Sequence, residues 1–200
     1  MKNNIIIAGV PRAGKSTISN MLSRKFGYQH VSMDAIIAGI ENVFPELGNW
    51  WPCCEEESKQ IDFLRNTSEK VALFIKSMLE SEEYDEFEPG MVMDVYQLLP
   101  EHYIKYLCVK NCEVFYFITS DVTPEERFAI HRKYDTEKDY SFEFSDEEMH
   151  SHCEYVIKKS LYFKEQCIKH ELPYYETAKN RNKIFEMFLQ SISDNPTERK

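Results

Sequence analysis

The stretch with the most chemistry is Gly9-Val10-Pro11-Arg12-Ala13-Gly14-Lys15-Ser16-Thr17. Gly9 to Ser16 fits G-x-x-x-x-G-K-S/T, with an apolar run, IIIA, before it and a helical stripe after it. A loop of this kind wraps phosphate oxygens with successive backbone N–H groups, and the helix behind it turns its positive end toward the same anion. Gly9 and Gly14 permit the turns. Lys15 neutralises the β and γ phosphates, Ser16 supplies an oxygen to Mg2+, and Arg12 is a further cation within the loop. A nucleotide loop does not by itself separate phosphate transfer from switching, motor action or sensing. A guanine-specific N-K-x-D is absent from the chain.

Other residues carry chemistry of their own. Asp34 follows a weak strand around His30 to Met33, and Asp94 lies in the run MVMDV. Asp34 can cap the helix beginning at Ala35, and Asp94 can close a strand. Arg127 and Arg132 stand five apart on one helix, so they do not share a face. Each is either a phosphate contact or a solvated partner of Glu125, Glu126 or Glu137. Arg65 borders an apolar stripe, where it binds an anionic acceptor or snorkels to water. Trp50 and Trp51 read as insertion core with one partly exposed ring. His150, His152, Cys153 and Glu154 fall close together, but helical geometry turns His152 away and no second ligand pair stands at metal spacing. They read as helix surface and core.

The elements that must position these residues alternate between apolar runs and helical stripes, as in a parallel sheet with crossover helices. Strands are expected at Ile5–Ala8, His30–Met33, Met91–Val95, Val114–Ile118 and Leu172–Glu176. Helices are expected at Lys15–Phe26, Pro100–Val109, from Thr123 onward, Asp146–His170 and Asn180–Ile192. Ile61, Leu64, Ser68, Val71, Ile75 and Met78 make one stripe of a further helix inside residues 35–90. Residues 135–147 lack helical periodicity and read as a mobile loop.

Length and composition set the bounds. Two hundred residues with 42% hydrophobic and 14% aromatic side chains suit one domain, with no independent second unit. A net charge of -10 argues against nucleic-acid or anionic-membrane binding, which needs a surplus of Lys and Arg on one face. The apolar start is too short for an export signal, so a cytoplasmic chain is expected. The six cysteines, Cys53, Cys54, Cys108, Cys112, Cys153 and Cys167, form no C-x-x-C pair and read as reduced, small hydrophobes.

GVPRAGKST, the aspartate closing strand two, MVMDV and TPEERFAIHR together resemble the small P-loop kinases, the group of adenylate kinase, shikimate kinase and related hydroxyl kinases. The resemblance implies an α/β, three-layer P-loop NTPase fold whose five-stranded parallel sheet runs 2-3-1-4-5. It further implies a helical substrate-binding insertion over 35–90 and a short lid over 133–147. With strands about 4.8 Å apart, that order puts Asp94 about 5 Å and Asp34 about 10 Å to the side of the loop. Asp94 is thereby expected to hold Mg2+ through water, and Asp34 to bind the acceptor or act as general base. Arg127 and Arg132 are expected to reach across the phosphate chain, and the turn Thr177–Arg181 to edge adenine.

The function implied is an ATP- and Mg2+-dependent transfer of the γ-phosphate to a small molecule, with the oligomeric state left open. Residues 35–90 hold one arginine and three lysines (Arg65, Lys59, Lys70 and Lys76), a poor set for a second phosphorylated nucleotide. A hydroxyl acceptor is therefore favoured over a nucleoside monophosphate. A nucleotide-binding regulator without turnover is the competing class.

Overall fold

The structure is a computed structural model that describes residues 4–47, 50, 57–81, 90–108, 112–137 and 139–194. Trp51, Cys53, Cys54, the side chain of Ile61 and the tail from residue 195 lie outside the described residues.

Two apolar runs form the middle of the sheet. Strand β1 (Asn4–Gly9) and strand β3 (Met91–Val95) are buried along their whole length, as expected for parallel strands covered on both faces. They pair in register Ile7↔Asp94, and β4 (Cys112–Ile118) pairs with the other side of β1. The edges are the shorter, less buried β2 (Gln29–Ser32) and β5 (Tyr174–Glu176). The sheet is parallel throughout, in the order β2-β3-β1-β4-β5.

The chain leaves β1 toward β2 but travels the opposite way from β2 through β5. Because parallel crossovers are right-handed, this reversal puts the β1–β2 helix on one face and the later crossover helices on the other. The connections leaving the neighbouring strands β1 and β3 therefore diverge, so the crevice at the carboxyl ends of β1 and β3 is where such sheets bind ligands. Helix α1 (Lys15–Phe26) starts there, with Gly14 and Gly27 in left-handed conformations at its two ends.

Residues 35–90 carry most of α2 (Met33–Val43), a 3-10 turn over Pro45–Leu47 and α3 (Glu57–Leu79). Of the stripe expected on α3, Leu64, Ser68, Val71 and Ile75 are buried. Ser68 Oγ accepts a 2.7 Å bond from the Leu99 amide, which pins the start of α4 (Pro100–Tyr106). Helix α5 (Pro124–Tyr134) and helix α6 (Asp146–Lys169) each begin with a capping box, built on Thr123 with Glu126 and on Ser145 with Glu148. Between them, Asp139, Phe142 and Phe144 donate amide bonds to Thr136, Asp139 and Ser141. These bonds close three turns among the described residues of the segment expected to be a mobile loop. Helix α7 (Arg181–Asp194) sets Phe188 against Phe115 and Phe117, with ring centroids 4.9 and 5.4 Å apart. Among the described residues no helix is long and apolar enough to cross a membrane.

Candidate active site

The loop from Gly9 to Ser16 is held by its carbonyls. Lys15 Nζ donates to Val10 O (2.9 Å), Arg127 Nη2 to Pro11 O (3.0 Å), Arg181 Nη2 to Arg12 O (2.7 Å) and Thr177 Oγ1 to Ala13 O (2.9 Å). Four successive carbonyls are therefore committed to protein donors. Among the described residues no protein acceptor takes the amides of Ala13, Gly14, Lys15 or Ser16, which leaves those donors for an anion at the start of α1. Gly9, at φ 126°, has no room for a side chain, because a Cβ there would overlap the Phe117 carbonyl oxygen. Arg12, at φ 60°, is the loop's non-glycine residue in left-handed conformation.

The loop opens onto a cavity of about 1050 Å³, bounded by Lys15, Ser16 and Thr17 on one side, Arg127 on α5, and Thr177 and Arg181 at the β5–α7 turn. That turn lies where adenine was expected. The segment between α5 and α6 contributes Asp135 and Asp139 to the same cavity, and both carboxylates pair with the Arg12 guanidinium. Asp135 also takes bonds from Ser141 Oγ (2.5 Å) and meets His131 Nδ1 (2.9 Å). Its pKa is held below the ordinary carboxylate value by these contacts and by Arg12, against the opposing and largest influence of burial.

On the other side of Lys15 stand the two acids. Asp94 is buried in β3 and its Oδ2 lies 2.9 Å from His30 Nε2. Asp34 sits in the first turn of α2, where Ser32 and not Asp34 occupies the cap position. Its Oδ1 is buried and has no hydrogen-bond partner. Burial raises the Asp34 pKa; Lys15 opposes the rise, the charge of Asp94 adds to it, and Lys159 opposes it again. Lys15 is lowered by burial, with Asp34 and Asp94 pulling it back up.

Lys159 was not anticipated. It is 4% exposed on α6, its Nζ has no hydrogen-bond partner, and the ammonium lies 3.4 Å from the centroid of Tyr96. Burial drives its pKa well below the ordinary lysine value, reinforced by the charge of Lys15 and opposed by Asp34. Asp34, with a buried oxygen that accepts no hydrogen bond, and Lys159, whose Nζ rests on an aromatic ring and donates none, thus lie within electrostatic reach of Lys15. The sequence signal available was weak: Lys159 is one lysine among several on an amphipathic helix.

The two lid arginines have different surroundings. Arg127 is 4% exposed and spans Thr119 Oγ1 (2.7 Å) and Pro11 O, so it braces the loop and borders the cavity. Arg132 does not line the cavity. It donates to Phe144 O (2.8 Å) and Asp146 Oδ1 (2.7 Å) and lies over the Phe128 ring. Arg132, expected to reach the phosphates, is placed away from the cavity because five positions on a helix turn a side chain about 140°, here toward the start of α6. Arg65 is also placed elsewhere, half-exposed beside Asp62 and Glu101. Neither lid arginine pairs with Glu125, Glu126 or Glu137 among the ion pairs of the described residues.

The remaining residues follow the bland reading. His150 stacks on Phe128, His152 bonds Tyr140 Oη (2.9 Å) and Cys153 is fully buried. Among the described residues no three His, Cys, Asp or Glu side chains form a metal cage. Mg2+ needs no such cage, since it is ordinarily held by one or two carboxylates together with substrate phosphates. Asp94 and Ser16 fit that pattern.

Sheet order, loop and cavity can be set beside solved structures. A shikimate kinase from Acinetobacter baumannii in complex with shikimate superposes with a TM-score of 0.56, at 17% identity over 98% of this chain and 96% of that one. The fold is that of the small P-loop kinases. A shikimate kinase from Bacteroides thetaiotaomicron gives 0.52 at 18% identity, covering 96% and 97% of the two chains. A gluconokinase from Sinorhizobium meliloti gives 0.51 at 10% identity, covering 96% and 92%. No protein-family model matches the chain, and no curated protein matches it. The likeness is one of architecture.

Proposed function

We propose that this protein is a phosphotransferase that uses ATP and Mg2+ to phosphorylate a hydroxyl group of a small acceptor carrying a negative charge. The observation that carries the reading is the Asp34 carboxylate, whose buried Oδ1 is unpartnered within electrostatic reach of Lys15, next to a loop with four successive carbonyls occupied. Buried polar groups without partners are costly and persist at sites that receive a ligand. The solved structures of like fold include kinases named for shikimate and gluconate chemistry, which supports a hydroxyl acceptor.

In this reading Ser16 and Asp94 hold Mg2+, which neutralises phosphate charge. Lys15 exchanges its Val10 carbonyl for phosphate oxygens, and Arg127 keeps the loop in shape while bordering the phosphate chain. Asp34 accepts the proton of the acceptor hydroxyl as its oxygen bonds to the γ-phosphorus and the bond from γ-phosphorus to the bridging oxygen breaks, releasing ADP. A carboxylate with a raised pKa is better matched to that proton than an ordinary one. Lys159 supports an acid group on the acceptor, because a buried ammonium without a partner gains most from an anionic ligand. A nucleoside monophosphate fits less well, since Arg65 is engaged with acids at the surface. The 35–90 segment would carry the acceptor and the 133–147 segment would close over the nucleotide.

The test is ADP release in the presence of Mg2+ATP across hydroxy acids, neutral sugars, nucleosides and nucleoside monophosphates. Stimulation by hydroxy acids is expected, lost in Lys15→Ala with the fold intact by circular dichroism and weakened in KM in Lys159→Met. Tight ATP binding with no stimulation by any acceptor would instead favour a nucleotide-binding regulator.

A further inference from the structure

The structure assigns His30 a positioning role: it holds one oxygen of Asp94 and thereby presents the other to the metal of the bound nucleotide. This rests on the reading of Asp94 as a metal ligand given above. Ser32 is the direct neighbour of Asp94 across the β2–β3 pair, and His30 stands two residues earlier on β2. Alternate residues of a strand share a face, so His30 and Asp94 form a diagonal cross-strand pair. The imidazole spans that diagonal, with Nε2 2.9 Å from Asp94 Oδ2. A carboxylate oxygen accepts, so the ring donates from Nε2.

The need for such a restraint follows from the neighbours. Asp94 is almost wholly buried, and its contact with His30 is the side-chain hydrogen bond it makes among the described residues. The charges of both Asp94 and Asp34 act on Lys15, so two carboxylates compete for one ammonium. An Asp94 carboxylate free to rotate would not keep its second oxygen aimed at the metal. The bond to His30 opposes that rotation. Asp34 has no equivalent: its Oδ1 is unpartnered, which leaves it available to an acceptor. His30 therefore separates the duties of two otherwise similar acids, fixing one and leaving the other unengaged. Hydrogen bonds to ligating carboxylates commonly affect metal affinity by about 10–100-fold.

The experiment is Mn2+ binding, followed by electron paramagnetic resonance, to the full chain loaded with a non-hydrolysable ATP analogue, so no acceptor or turnover is required. His30→Leu is expected to weaken Mn2+ binding by about 10–100-fold, with binding of the metal-free analogue unchanged. His30→Gln, which retains an N–H donor, should recover part of the loss and serves as the deciding variant if the leucine form does not fold. Wild-type Mn2+ affinity in both His30 variants, with Asp94→Asn impaired, would overturn the role of His30 alone. Wild-type affinity in Asp94→Asn would overturn the metal role of Asp94, and the present inference with it. Equal weakening of metal-free analogue binding in His30→Leu would reduce His30 to a part of the loop's support and also overturn the proposal.

Discussion

At the scale of single residues, the site holds two charged groups with unsatisfied buried atoms, Asp34 Oδ1 and Lys159 Nζ. Asp34 shows the consequence most directly. Its pKa is raised in the folded chain, chiefly by burial, whereas the unfolded chain titrates near the ordinary value of about 3.9. As pH climbs through that ordinary value the unfolded form gives up its proton first, so stability falls until the raised folded value is passed and stays low above it. At pH 7 the fold therefore carries a cost for ionising Asp34. Asp34→Asn should raise stability at pH 7 by on the order of 1 kcal/mol, seen as a higher melting temperature, while acceptor-stimulated ADP release disappears. The stability gain should vanish at a pH below the ordinary aspartate value, where both states are protonated. An unchanged or lower melting temperature at pH 7 would mean that attraction to Lys15 and Lys159 outweighs burial.

At the scale of elements, helix α5 links sequence-local signals to loop geometry. Thr123 and Glu126 close a capping box at its start, and one turn later Arg127 reaches Pro11 O and Thr119 Oγ1. Thr123→Ala removes the oxygen that accepts from the Glu126 amide and should cost about 1 kcal/mol. Chemical denaturation should show this as a lower midpoint with an unchanged slope. The two arginines of this helix show why placement on an element matters: both were legible as candidates, yet the turn between them sends Arg127 to the loop and Arg132 to Asp146.

At the scale of the molecule, the loop and the lid meet through charge. Arg12 pairs with Asp135 and Asp139, so two carboxylates line the cavity in which the proposed function places a polyphosphate. Nucleotide binding has to move them or transfer Arg12 from them to phosphate. Replacing both with asparagine should tighten ATP binding, measured by calorimetry, and flatten its dependence on salt, because like charges in the cavity are removed. Weaker binding in the double variant would show instead that the pairs hold Arg12 in a productive position.

The sequence by itself determined the elements and the phosphate loop. Periodicity of apolar residues and the glycines at fixed spacing are local, so the span Lys15–Phe26 and the strand Met91–Val95 agree between sequence and structure. The sheet order came with the family resemblance to the loop and its neighbours, and the strand pairing has the same order. Only the tertiary structure decided which charges converge. Lys159 and Tyr96 are far apart along the chain, as are His30 and Asp94, and Arg12 and Asp135. No periodicity encodes such pairs, because their meeting depends on the register of β2 on β3 and on the packing of α6 against the sheet. Nor does a side chain's type announce burial without a partner. That property belongs to the assembled surroundings, and it separates Asp34 and Lys159 from the many acids and lysines that face water.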